Sequence, residues 1–355
     1  MKTINTPITR LLNIKTPIIS AAMAGASGGE LAARVSSAGG FGFMAVGYDD
    51  ERNVRKELDI ARSILQHGND AGSSPTPNPS KALQIGVGFL GWKLDEQSES
   101  GLAKRLLTIV LEARVAAVWL SFGNDLGKWI QFIREFDNKR SDPHKTLIFV
   151  LVNYLYEARV AIDEWKVDVL VAQGIESGGH GQSKAPSLIT LVSDILHEFP
   201  NGLPPLLGAG GLVSGTCVAA LLALGASGAV FGTRFVVTPE SLYVPEQKAA
   251  LCAAKGSDTI RTTVFDILRG TSGWPLGIDG RALRNETVER IERGEDLEEI
   301  KCAFEKATKN RDPSGMLIWS GASIGRINDI KPAADVVTEI HEGLLERLQA
   351  LSVLL

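Results

Sequence analysis

One histidine in this chain stands among residues that suit it to chemistry. The run Gln173-Gly174-Ile175-Glu176-Ser177-Gly178-Gly179-His180-Gly181-Gln182 sets an imidazole among closely spaced glycines. Imidazole changes its charge near neutral pH, which makes it the natural acid or base there. Glycine lets the backbone reach conformations closed to other residues. The run therefore predicts a loop that holds His180 exposed at a cleft, as an acid–base group or a substrate ligand, and not as a packed core histidine. The other four histidines, His67, His144, His197 and His341, fall in loops or on helix surfaces and read as solvated side chains.

Two further glycine clusters carry a second chemistry. Gly208-Ala209-Gly210-Gly211 precedes a helical segment, and Phe231-Gly232-Thr233-Arg234 follows soon after. Glycine turns that open onto helix N-termini bind phosphate through backbone N–H groups and the helix dipole. Two in succession predict a phosphate site, where one alone would serve equally as a chain reversal. The small residues Ala21-Ala22-Met23-Ala24-Gly25 would let a flat ring approach the backbone, or simply make a tight turn. There is no H-E-x-x-H and no Walker loop. Carboxylates are sparse at the strand ends, which argues against glycoside hydrolysis and magnesium chemistry.

These clusters need a scaffold that gathers them. Short apolar runs at 17–22, 41–46, 83–89, 115–120, 146–152, 167–172, 205–209 and 228–232 read as eight strands. Most are apolar throughout rather than alternating, as expected of parallel strands buried on both faces. Helical patterns lie between them at 28–38, 50–66, 100–113, 125–136, 155–164, 186–198 and 214–224. Eight strands alternating with helices is the arithmetic of a (β/α)8 barrel, an α/β fold whose reactive groups stand at the C-terminal strand ends. His180 follows the sixth strand, and the two phosphate-type turns follow the seventh and eighth.

Residues 238–312 read as a mostly helical insertion without convincing strands, and 67–80 as an exposed mobile loop. The chain then returns through a glycine-rich turn at 315–327 to a final helix at 332–350, the barrel's eighth. The barrel is thus expected from 1–237 and 313–355, with 238–312 as a lid over the substrate pocket. Trp274-Pro275-Leu276 are candidate liners of that pocket.

Bulk composition narrows the classes. The 355 residues include 37 glycines with no G-x-y period, 44% hydrophobic and 22% charged residues, so neither collagen nor a disordered chain fits. The net charge of −4 offers no footprint for nucleic acid or an anionic membrane. No stretch reaches the roughly 18 apolar residues of a membrane span. Three widely spaced cysteines, Cys217, Cys252 and Cys302, form neither a disulfide framework nor a zinc site. The expectation is an intracellular, cytoplasmic protein that needs no metal, with no nucleic-acid or membrane partner.

Taken together, TPIISAAMAGASGGELAARVSSAGGFGFMA, VDVLVAQGIESGGHG, LLGAGGLVSG and ALGASGAVFGTRFVVTPES, with a weaker match around SGASIG, resemble the nitronate monooxygenases, formerly 2-nitropropane dioxygenases. These are FMN-dependent barrels, and the resemblance spans nearly the whole chain. It implies that Ala22 and Met23 lie against the flavin ring and that Gln84 on the third strand also faces the cofactor. It implies that Gln173 contacts the ribityl chain and that Gly178 and Gly179 border the cofactor. Gly210, Gly211, Gly232 and Thr233 would hold the phosphate, and His180 would be the catalytic residue. The implied reaction is oxidation of an alkyl nitronate or nitroalkane by O2 to a carbonyl compound and nitrite. Two departures stand out. Some members carry a lysine on the fifth strand, where this chain has Leu151 or a neighbour; many have Gln or Thr where this chain has Ala322. Three rival readings remain: a flavin-dependent enoyl reductase using NAD(P)H, with a similar GGH turn; a non-redox barrel acting on a phosphorylated substrate; and a non-catalytic flavin-binding module.

Overall fold

The computed structural model describes residues 1–67 and 82–353. The expected loop at 67–80 falls, from residue 68 on, outside the described residues. Eight parallel strands close into a barrel: β1 (Ile18–Ser20), β2 (Phe41–Ala45), β3 (Leu83–Leu90), β4 (Val115–Ser121), β5 (Leu147–Val152), β6 (Val169–Gln173), β8 (Leu206–Ala209) and β9 (Gly228–Phe231). Closure is made by β9 on β1, with Ile18, Ile19 and Ser20 opposite Ala229, Val230 and Phe231. All eight expected strands are present.

The apolar runs feed two separate cores. Side chains turned into the barrel form one: Phe43 meets Phe149 and Trp119 edge-on at centroid distances of 5.0 and 5.1 Å, and Ile8 and Leu12 of the helix Pro7–Leu12 pack with them. Side chains turned outward pack against the surrounding helices and form the larger core. This two-sided burial explains why the strands lack alternation. The C-terminal helix Ala333–Ser352 packs against the helices Gly215–Leu224 and Gly29–Ser37, and so completes the outer ring as expected. No helix among the described residues is long and apolar enough to cross a membrane.

Two expectations are corrected. The segment 238–312 does contain strands: β10 (Thr259–Thr262) and β11 (Ile278–Leu283) pair antiparallel, and β11 also pairs with β7 (Gly179–Gln182). The order β10-β11-β7 makes a small sheet outside the barrel. These strands are short and carry arginines and an aspartate, so they lack the apolar period that marks a strand in sequence. The helices Pro245–Ala253, Val264–Arg269, Glu286–Glu292 and Leu297–Asn310 make up most of the rest.

The second correction concerns His341. It is not solvated but lies 2% exposed in the C-terminal helix, with both ring nitrogens sealed and without a partner among the described residues. Burial pushes its pKa below the usual histidine value, and the nearby N-terminal amine adds to this. The unfolded chain therefore takes up a proton first as pH falls below about 6.5, and stability drops there. We expect the urea midpoint of the wild type to fall more steeply between pH 7 and pH 5 than that of His341→Leu. Equal slopes in the two denaturation series would refute this.

Candidate active site

The pocket opens at the C-terminal ends of the strands, where the barrel leaves backbone and small side chains exposed to one another. Its floor is apolar, with Ala21, Ala22 and Met23 from the β1 exit, Trp119 from β4 and Leu151 from β5. The β1 exit is a fixed turn: Met23 N–H donates to Ser27 Oγ at 2.7 Å, and the N–H groups of Ala26 and Ser27 donate to Met23 O. The β8 and β9 exits supply one side through Gly210, Gly211, Gly232 and Thr233. The C-terminal turn 319–324 lies against these exits, tied down where Gly321 N–H donates to Thr233 Oγ1 at 2.9 Å and Ser323 Oγ donates to Gly211 O at 2.7 Å.

His180 does not sit in a loop. It lies on β7, opposite Gly280 of β11, and its side chain is only 10% exposed. Trp274 stacks flat on the imidazole at 3.6 Å between centroids and 13° between planes, and Trp319 meets it edge-on at 4.8 Å. Gly280 makes the Trp319 contact possible, since a Cβ there would fall 2.3 Å from that indole. His180 Nε2 lies 2.9 and 3.0 Å from the two carboxylate oxygens of Asp266, which is itself 4% exposed.

The glycines before His180 have a packing role as well as a conformational one. A Cβ on Gly178 would lie 2.4 Å from Gly321 N and 2.5 Å from Ser320 C, so only glycine lets the β6 exit press against the C-terminal turn. Gln173 links the elements behind: its Nε2 donates to His180 O at 3.3 Å, and its Oε1 accepts from buried Asn153 Nδ2 at 3.0 Å. From β10, Arg261 donates to Gly181 O at 2.8 Å and to Ile175 O at 3.4 Å while paired with Asp279.

The pocket brings together Ala22, Met23, Gln173, Gly178, Gly179, His180, Gly210, Gly211, Gly232 and Thr233. Gln84 is not among them. It is exposed near the start of β3, whose pocket end is formed by Gly88, Phe89 and Leu90. The family resemblance suggests it, and its position along the strand puts it away from the pocket. Trp274 lines the pocket, whereas Leu276 is 99% exposed. Asp266, Trp319, Tyr48, Arg269 and Tyr243 escaped the sequence reading, because each acts through contacts between segments far apart in the chain. Tyr243 is buried, accepts Trp319 N–H at 3.0 Å, and burial pushes its hydroxyl up to about 12. It is therefore neutral at physiological pH and serves as a support.

The residues fit a flat, phosphate-bearing group. Gly210 and Gly211 turn with φ of +117° and +67°, a region open mainly to glycine, and aim main chain rather than side chain at the pocket. A Cβ on Gly232 would meet nothing nearer than Met23 Sδ at 3.6 Å, so the space beside that backbone is open. Three buried polar atoms of pocket residues, Ser177 Oγ, Trp119 Nε1 and Trp274 Nε1, have no partner among the described residues. Such atoms carry a desolvation cost that a bound ligand with acceptors would relieve.

The comparisons with known proteins agree with this geometry. A family model described as nitronate monooxygenase matches residues 5–343. A nitronate monooxygenase of Metarhizium robertsii is 34% identical over 346 residues, covering 92% of this chain and 91% of that protein. One of Neurospora crassa is 32% identical over 354 residues, covering 94% and 90%. Among solved structures, FabK from Thermotoga maritima superimposes with a TM-score of 0.76 at 27% identity, covering 99% of this chain and 100% of that one. A nitroalkane oxidase from Streptomyces ansochromogenes superimposes at 0.74 with 24% identity, covering 98% and 100%, a likeness of fold. The chain is thus a flavin-dependent oxidoreductase built on a (β/α)8 barrel. It belongs to the nitronate monooxygenase family.

Gly178→Ala tests the close approach. The added methyl must push the 320–323 turn away from the β6 exit. Flavin affinity is expected to weaken at least about tenfold, roughly 1.4 kcal/mol, with the far-ultraviolet circular dichroism of the barrel retained. Unchanged flavin affinity by equilibrium dialysis would show that the turn has room to give.

Proposed function

We propose that this chain oxidises alkyl nitronates and nitroalkanes with O2, yielding a carbonyl compound and nitrite, and that its flavin is FMN. The observation that carries the reading is the single imidazole, oriented by a buried carboxylate and an indole face, over an apolar barrel mouth bordered by two glycine turns. FMN, when bound, supplies an acceptor for the substrate's electrons and passes them on to O2. The chain's own residues do the remainder. Ala22 and Met23 offer the flat apolar surface for the ring system. Gly210, Gly211, Gly232 and Thr233 offer main-chain N–H groups to the phosphate. Leu151, where some relatives carry a lysine, leaves that part of the floor without a cation.

His180 takes the α-proton from a neutral nitroalkane, or holds the oxygens of a nitronate already formed. Trp274 and Trp319 flank the imidazole and keep bulk water from it, which strengthens electrostatic interactions inside the pocket. The segment 238–312 roofs a barrel made by 1–237 and 313–355, and it supplies Trp274 to the substrate pocket. In this reading the protein works in the cytoplasm on small molecules, with no nucleic-acid or membrane partner.

The purified protein should be yellow, release FMN on denaturation, and consume O2 with ethylnitronate. Anaerobic mixing with NADH should leave the flavin colour in place; rapid bleaching would favour the enoyl reductase reading instead. A colourless protein that takes up no FMN would favour a non-redox barrel, and a yellow one inert to nitronates a flavin-binding module. His180→Asn should retain FMN while turnover of neutral nitroethane falls by roughly 10²–10⁴, the usual contribution of a positioned acid–base group. Wild-type turnover of nitroethane by that variant would remove His180 from the reaction.

A further inference from the structure

The His180–Asp266 contact bears on which nitrogen of the imidazole can act. Nε2 is held by both carboxylate oxygens, at 2.9 and 3.0 Å. A carboxylate only accepts, so Nε2 carries the proton. Nδ1 makes no hydrogen bond to any described residue, and it is absent from the sealed, partnerless atoms that include both nitrogens of His341. It is therefore the open nitrogen of a residue that lines the pocket. Asp266 is itself fixed: it is 4% exposed, and Thr271 Oγ1 donates to its Oδ1 at 3.0 Å. The Trp274 face, 3.6 Å from the imidazole, and the Trp319 edge leave the ring little freedom to turn over.

We propose that Asp266 is the positioning residue for His180: it locks the Nε2–H tautomer and leaves Nδ1 as the proton acceptor for a neutral nitroalkane. This rests on the function proposed above. In the step, the substrate's α-C–H bond breaks and an Nδ1–H bond forms. The C–H electron pair becomes the C=N bond of the nitronate, and the displaced charge goes to the nitro oxygens. The imidazolium that results lies against the Asp266 carboxylate, which offsets its charge in a site with little water. A nitronate supplied ready-made needs no such step, so Asp266 should matter far more for the neutral substrate than for its anion.

The test uses the flavin-loaded protein and the variant Asp266→Asn. The asparagine amide can donate to Nε2, which favours the other tautomer and blocks Nδ1. Turnover of nitroethane relative to ethylnitronate is expected to fall at least tenfold, within the roughly 10²–10⁴ available to acid–base catalysis. Thr271→Val, which frees the carboxylate on one side, should produce a smaller fall in the same ratio, and Asp266→Glu should recover part of it. The second readout needs no turnover. In protein labelled with ¹⁵N-histidine, the His180 ring signals, assigned by their loss in His180→Asn, should show a protonated Nε2 and bare Nδ1 in the wild type. They should shift towards protonated Nδ1 in Asp266→Asn. Equal losses for both substrates, or an unchanged tautomer, would overturn the proposal. A wild type that turns over neither substrate would overturn the proposed reaction, while the tautomer measurement still decides the role of Asp266.

Discussion

Pairing His180 with Gly280 across β7 and β11 joins the exit of β6 to the segment 238–312. Through that pairing the β6 exit leaves the barrel, joins the sheet built by 238–312, and brings its imidazole under Trp319 and within reach of Asp266. The helix Val264–Arg269 carries Asp266, the stretch before β11 carries Trp274, and the C-terminal turn carries Trp319. The barrel supplies a mouth; the sheet supplies the polar group above it.

Close backbone approach is the second condition. Gly178 lies against the Ser320–Gly321 peptide, and Gly280 lies under the Trp319 ring, at distances a single methyl would violate. Interiors are packed densely enough that such a conflict moves whole segments rather than one atom. The glycines near the pocket therefore meet two different demands: a left-handed turn at Gly210 and Gly211, and main chain pressed on main chain at Gly178. Glycine composition alone does not separate these two uses.

Much of the scaffold is legible in the linear sequence. The eight barrel strands stand out because both of their faces are buried, which leaves unbroken apolar runs such as LIFVLV at 147–152. The phosphate-type turns are legible because they are local. The reading went astray where local signals were ambiguous. Polar TIRT at 259–262 is a strand only because β11 lies beside it. Gln84 is implied by the family resemblance, yet its place near the start of β3 puts it away from the mouth. His341 looked solvated by its neighbours in sequence, whereas helix packing buries it.

The order of the barrel strands and helices follows from residue type and spacing, because it depends on short-range patterns repeated along the chain, and the sequence motifs carry the resemblance to the family. The tertiary structure alone decides what His180 can do. Asp266 and Trp274 come from one segment and Trp319 from another, both remote from His180 in the chain, and only folding brings them to within 5 Å of one imidazole. Which nitrogen carries the proton depends on that contact, since a tautomer is set by the partner across space and not by the residues on either side.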